Sequence, residues 1–299
     1  MTPDGVEYRA GYVVLCGRSN VGKSTLLNRL VGEKVAIVTP RPQTTRRRIV
    51  GVRTEPDAQL LLVDTPGLHE ATRLLNRRMV ETARESMARA DVIAAMVEAG
   101  DRLEPADRAL LAEVRALQHP AVVIINKIDR IERARLIPLA EQCSSALPEA
   151  EIVPVSALTG ENVAELIATL KRILPVGPPL MPEDQYTDQT ERALVEELIR
   201  EKIFLAMRQE IPFSTAVKVE QFSELEQRNL VRIQASIIVD RDSHKGMIIG
   251  SGGQRLKSIG QSARLEIESL LGRRVFLDLQ VKVEKNWTKD PRRLAELGL

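Results

Sequence analysis

The chain has 299 residues, 43% of them hydrophobic, and a formal net charge of only +2, a balance that suits a globular protein of two ordinary domains. No apolar run approaches the length of a membrane-spanning helix, and the start, MTPDGVEYRAG, has no cationic segment followed by an apolar run, so no export is expected. Two cysteines, Cys16 and Cys143, stand far apart in no metal-ligand or redox spacing, a usage that excludes a disulfide scaffold and fits a reducing cytoplasm.

In chain order, short β-branched or apolar runs alternate with helix-like segments. YVVLC (12–16), QLLLVD (59–64), VIAAMVE (92–98), AVVIIN (121–126) and EIVPVS (151–156) read as strands. Between and after them, residues 23–30, 77–90, 105–117 and 163–174 repeat apolar residues at helical spacing. This βαβα order predicts an α/β fold, a doubly wound, mostly parallel sheet with helices on both faces. PVGPPLMPEDQ, from Pro175, concentrates proline and glycine without periodicity and reads as a linker. Beyond it come a helix (190–207), two alternating strands (215–222 and 230–239), a glycine cluster, a helix (254–271) and a last strand (274–283), an α+β unit. The predicted division is residues 1–178, a linker over 179–188, and a second domain over 189–299. From residue 241 onward twelve Lys or Arg stand against seven Asp or Glu, so the basic charge gathers at the carboxy-terminal end. That placement is compatible with a polyanion partner and does not by itself require one.

Gly17-Arg18-Ser19-Asn20-Val21-Gly22-Lys23-Ser24-Thr25 follows a predicted strand and opens a predicted helix, the context that a phosphate loop requires. Its glycines would let the backbone wrap phosphates, the helix N-terminus adds positive potential, Lys23 neutralises β and γ oxygens, and the Ser24 hydroxyl would ligate Mg2+. Asp64 ends a buried strand and begins Asp64-Thr65-Pro66-Gly67. A carboxylate there can hold Mg2+ through water, while the Gly67 N–H can meet a γ-phosphate. Asn126-Lys127-Ile128-Asp129 also ends a strand and selects the base: a carboxylate at Asp129 accepts from guanine N1–H and the 2-amino group, a donor pair that adenine lacks. Asn126 would steady this loop, Lys127 would cover the ring, and the Ser156-Ala157-Leu158 turn would offer a backbone N–H to guanine O6. The nucleotide is GTP or GDP.

GRSNVGKS, TTR, DTPG, NKID and SAL, in that order, resemble the translation-factor-related GTPases, and PRPQTTRRRIVG, PEDQYTDQ and KNWTKDPRRLAELG make the whole chain similar to the Era-like family of bacterial GTPases. The likeness runs from about Gly11 to Leu299; Phe213 departs from it, where the family more often has tyrosine or histidine. It implies that the switch threonine lies in QTTR, with Thr45 assigned to Mg2+ and γ-phosphate and Thr44 as the alternative that spacing cannot exclude. Catalysis is assigned to Lys23, Thr45 and Gly67. After Gly67 comes Leu68, where many small GTPases carry a water-orienting glutamine; His69 is the nearest proton acceptor. Hydrolysis would then rest on positioning and charge neutralisation, and a slow intrinsic rate follows. The family also implies K+ held near Asn20.

Downstream, Gly250-Ser251-Gly252-Gly253 is a G-x-x-G turn before a helix, with Ile248 and Ile249 ahead and Lys245, Arg255 and Lys257 beside it. In its helix, strand, strand, helix, strand setting the turn resembles the KH module, whose bare loop approaches the backbone of about four nucleotides. Ile248, Ile249 and Ile259 are expected to meet the bases. The family implies the 3′ end of small-subunit (16S) ribosomal RNA as target, 30S subunit assembly as the process, and a cytoplasmic monomer. Two other readings stay open: a signalling GTPase peripheral to the cell's inner membrane, and a non-hydrolysing RNA-binding scaffold.

Overall fold

The computed structural model of the chain describes residues 7–67, 74–207, 211–225 and 229–299. They fall into two compact units that part between Asp188 and Gln189, with the short stretch Ile37–Arg41 and the residues Leu74 and Leu75 grouping with the second.

The first unit is built on six strands, β1 (Arg9–Gly17), β2 (Ile49–Glu55), β3 (Ala58–Asp64), β4 (Val92–Glu98), β5 (Ala121–Asn126) and β6 (Glu151–Val155), in the spatial order β2-β3-β1-β4-β5-β6. All neighbours are parallel except β2 and β3, which form an antiparallel hairpin. The helices are α1 (Lys23–Val31), α2 (Leu74–Ala88), α3 (Pro105–Leu117), α4 (Leu136–Ala146) and α5 (Val163–Ile173). Strand alternation feeds two cores: Val13, Leu15, Leu60 and Leu62 pack on one face, while Val14, Cys16, Leu61 and Val63 pack on the other. This two-sided burial is why the strands read as continuous apolar runs. Two elements escaped the sequence reading. β2 follows three arginines and borrows its regularity from β3, and α4 carries Pro138 near its start and a weak apolar stripe.

The expected linker is docked rather than loose. Gln59 Oε1 accepts from the N–H groups of Leu180 (2.7 Å) and Met181 (2.9 Å), the Val52 N–H donates to Tyr186 O (2.9 Å), and the Thr187 hydroxyl donates to Val50 O (2.7 Å). A proline-rich segment cannot satisfy its own backbone, so it uses the free edge of β2 and the Gln59 side chain of β3.

The second unit begins with α6 (Glu191–Ala206) and has a three-stranded sheet, β7 (Thr215–Leu225), β8 (Leu230–Val239) and β9 (Arg274–Val283), ordered β7-β8-β9. β7 pairs antiparallel and β9 parallel with β8. α7 (Asp242–Ile249) and α8 (Gln254–Leu271) flank the glycine turn, and α9 (Pro291–Glu296) closes the chain. Ile199 and Ile203 of α6 and Ile259, Ala263 and Ile267 of α8 bury against Val217, Ile233, Ala235 and Ile237 of the sheet. α7 was not expected, because its eight residues include a glycine and lack a clear stripe. Among the described residues, no helix is long and apolar enough to cross a membrane.

Candidate functional site

The carboxyl ends of β1, β3, β5 and β6 deliver the predicted loops to one rim of the parallel sheet, the place where open α/β sheets gather ligands. β1 ends at Gly17 and α1 begins at Lys23, so the intervening loop is the predicted phosphate cradle. Val21 is buried beneath it, and Ser19 and Thr25 are half-buried. Asn20 stands exposed at the tip with φ 65°. Gly22 has φ +107°, and a Cβ there would stand 2.2 Å from Asn126 Nδ2. Only glycine meets both conditions.

The Lys23 ammonium is buried and donates to the carbonyls of Gly17 (3.1 Å) and Arg18 (2.9 Å). Burial pulls its pKa down and the Asp64 charge pulls it back up. The Arg18 guanidinium is anchored outside the loop, on the buried carboxylate of Asp107 at 2.7 Å.

Ser24, Thr45 and Asp64 come together. The Ser24 hydroxyl donates to Asp64 Oδ2 at 2.6 Å, Thr45 Oγ1 donates to the same oxygen at 3.0 Å, and the two hydroxyls lie 3.0 Å apart. Asp64 is fully buried, and its other oxygen, Oδ1, has no hydrogen-bond partner. Burial pushes this carboxyl up against the lowering effect of Lys23 and the two hydroxyls. A buried carboxylate short of donors, flanked by two hydroxyls, has the all-oxygen chemistry that Mg2+ accepts. Thr65 turns inward, its hydroxyl on Leu15 O at 2.9 Å, and Pro66 leads to Gly67, which lies against Ser19. Leu68 and His69 lie outside the described residues.

Asn126 joins two loops. Its Nδ2 donates to Val21 O at 2.8 Å, and its Oδ1 accepts the Ala157 N–H at 2.9 Å. The Ser156 hydroxyl donates to Asp129 Oδ1 at 2.6 Å, which fixes the carboxylate beside the strand end. Lys127 adopts φ 69° and its ammonium meets Glu98 Oε2 at 2.8 Å. Leu158 is exposed, and Arg29 holds the carbonyls of Ala157 and Leu158. Glu98, Asp107 and Arg29 were missed in the sequence. Glu98 had a usable signal, since it ends a buried strand as Asp64 does; the other two sit on helix faces and had none.

In the second unit, Gly250 (φ 72°), Gly252 (φ 55°) and Gly253 (φ 76°) shape a tight turn from α7 into α8, and a Cβ at Gly250 would meet Arg255 Cβ at 2.8 Å. Ser251 is exposed, Arg255 caps Met247 O, Lys257 is exposed and Lys245 is half-buried. A groove beside the turn is lined by Gly253, Leu256, Lys257, Arg264, Leu277 and Leu279. The structure corrects the expectation for Ile248 and Ile259, which are 0% and 2% exposed. Their helices turn them onto the sheet, so they support the groove from beneath. Ile249 is half-buried against the same core.

The 50S ribosome-binding GTPase family matches residues 12–127, and the KH domain family matches residues 210–288. GTPase Era of Syntrophus aciditrophicus is 47% identical over 293 residues, covering 98% of this chain and 96% of that one. GTPase Era of Mycobacterium tuberculosis is 46% identical over 301 residues, covering 98% and 99%. Two solved structures each superpose with a TM-score of 0.94 at 43% identity, covering 97% of this chain and 99% of theirs. One is a Tyr-to-Ala variant of Aquifex aeolicus Era bound to GDP and aluminium fluoride; the other is Era with MgGDPNP and nucleotides 1506–1542 of 16S ribosomal RNA.

Proposed function

The chain belongs to the Era family of GTPases, and from that premise we infer that it hydrolyses GTP and binds the 3′-end region of 16S ribosomal RNA. One observation carries the nucleotide reading: Lys23, the Ser24–Thr45–Asp64 cluster and the Asp129–Ser156 pair all stand at the strand ends of one sheet rim.

In this reading Asp129 accepts from the guanine N1–H and 2-amino group, and its bond from Ser156 holds it in register. Asn126 ties the base loop to the phosphate loop, so that base and phosphates are gripped as one piece. Lys23 exchanges its two carbonyl partners for phosphate oxygens, a trade favoured because a buried ammonium gains more from a full negative charge than from dipoles. Ser24, Thr45 and Asp64 would hold Mg2+, which supplies positive charge against the β and γ oxygens. Thr45, rather than Thr44, takes the switch role, supported by its bond to Asp64. The Gly67 N–H orients the γ-phosphate. Leu68 carries no group able to accept or donate a proton, so the barrier falls by positioning and charge alone, and turnover is slow.

The glycine turn presents its N–H groups and the start of α8 to an RNA backbone, with Lys245, Arg255 and Lys257 around it. We place the protein in the cytoplasm as a monomer acting in 30S subunit assembly. Two measurements test this. Multiple-turnover phosphate release should proceed with GTP and not with ATP. Replacing Ser251 and Gly252 by aspartates should weaken binding of a 16S 3′-end RNA by at least about tenfold with GTP affinity unchanged. Unchanged RNA binding would reduce the turn to a helix cap.

A further inference from the structure

The second sheet has two faces, and the one turned away from α6, α7 and α8 is only half closed. Toward the carboxyl end of β8, Ser236 and Ile238 on that face are 0% and 1% exposed, and there the indole N–H of the buried Trp287 donates to Ser214 O at 3.2 Å. The other half stays open. Val231, Ile233 and Val275 point into the core, so strand alternation turns Arg232, Arg274 and Phe276 outward. Arg232 and Phe276 are direct partners across β8 and β9, and the guanidinium lies 5.6 Å from the ring centroid.

Phe276 is 53% exposed, unlike the other three phenylalanines: Phe204 and Phe213 pack edge to face, and Phe222 is half-buried. The fold gains little from leaving such a ring in water. Among the described residues neither Arg232 nor Arg274 meets a carboxylate, although Asp278 shares the face and Glu224 pairs with Arg273 nearby. A flat aromatic beside guanidinium groups that no carboxylate neutralises is the composition of a base-stacking platform.

Its position gives it an occupant. β9 is an edge strand, with Leu277 and Leu279 lining the groove beside the glycine turn and Phe276 on the opposite face. α8 and β9 are joined only by Gly272 and Arg273, so the groove leads from the glycine turn toward the β9 end that carries Phe276 and Arg274. We propose that an RNA strand leaving the groove crosses the β9 edge and stacks its next base on Phe276, with its phosphate met by Arg232 or Arg274. This rests on the groove itself holding RNA. A KH groove clamps about four nucleotides, so the platform engages only longer strands.

The test is fluorescence anisotropy with the full chain and nested single-stranded RNAs of four, six, eight and ten nucleotides cut from the 16S 3′ end. Wild type should gain about tenfold in affinity once the strand outruns the groove. Phe276→Ala, at an exposed site, should erase that gain while binding the shortest RNA as wild type does, and Phe276→Trp should keep it. The aspartate pair at Ser251 and Gly252 should weaken every length, which separates failure of the groove from failure of the platform. The proposal is overturned if wild type gains nothing with length, or if Phe276→Ala matches wild type throughout, as a docking site for an acidic protein would require.

Discussion

Replacing Gly22 by alanine should destabilise the first unit by an amount shared between its own left-handed backbone and Asn126. The new Cβ would lie 2.2 Å from Asn126 Nδ2, well inside contact distance, on a backbone with φ +107°. The left-handed backbone costs a residue with a Cβ about 1–2 kcal/mol. Asn126 must also withdraw, which breaks its bonds to Val21 O (2.8 Å) and from the Ala157 N–H (2.9 Å), each worth about 0.5–1.5 kcal/mol. Together these give a loss of about 2–5 kcal/mol. In an Asn126→Ala background the clash is gone and both bonds are already lost, so the same glycine change should cost only its backbone share. The two substitutions should therefore couple by at least about 1 kcal/mol, beyond the roughly 0.5 kcal/mol scatter of independent sites. Urea unfolding followed by far-UV circular dichroism measures this, because the single tryptophan, Trp287, lies in the second unit and is blind to the loop. Additive costs would refute the reasoning, for they would mean that Asn126 and Gly22 do not share space.

Asp129→Asn exchanges an acceptor for a group with its own donors, so nucleotide titration should show guanine binding fall sharply and xanthine binding rise; an unchanged preference for GTP removes Asp129 from the base pocket. If a cation near Asn20 supplies charge that Leu68 cannot, phosphate release should be faster in K+ than in Na+ at equal ionic strength, and Asn20→Ala should abolish the difference. Equal rates in the two salts would dismiss the cation. Burial pushes Cys16 up to about 12 and Cys143 up to about 11. Both should therefore alkylate with iodoacetamide at pH 8 at least about a hundredfold more slowly in the folded chain than in urea, and rapid labelling of either in the folded chain would contradict its burial.

Most of the alternation of strands and helices, the strand-to-helix loop at residues 17–23, the loop after β5 and the glycine turn were legible in the sequence, because each depends on neighbours within a few residues. Gly22-Lys23-Ser24 needs only a strand before it and a helix after it, and β8, α8 and β9 announce themselves through unbroken periodicity. What stayed hidden depends on residues brought together from afar. Spacing could not choose between Thr44 and Thr45, whereas the folded chain brings the Thr45 hydroxyl to Asp64, nineteen positions away. Ile248 looked like a base contact beside the glycine turn until α7 rotated it into the core. Arg18 on Asp107, Lys127 on Glu98 and the proline-rich segment on Gln59 are pairings between separate elements, and no local pattern encodes them. Local chemistry chooses which loops can bind a phosphate or a base. Long-range packing decides which side chains reach them, since the direction a side chain takes is set by the surface its element buries.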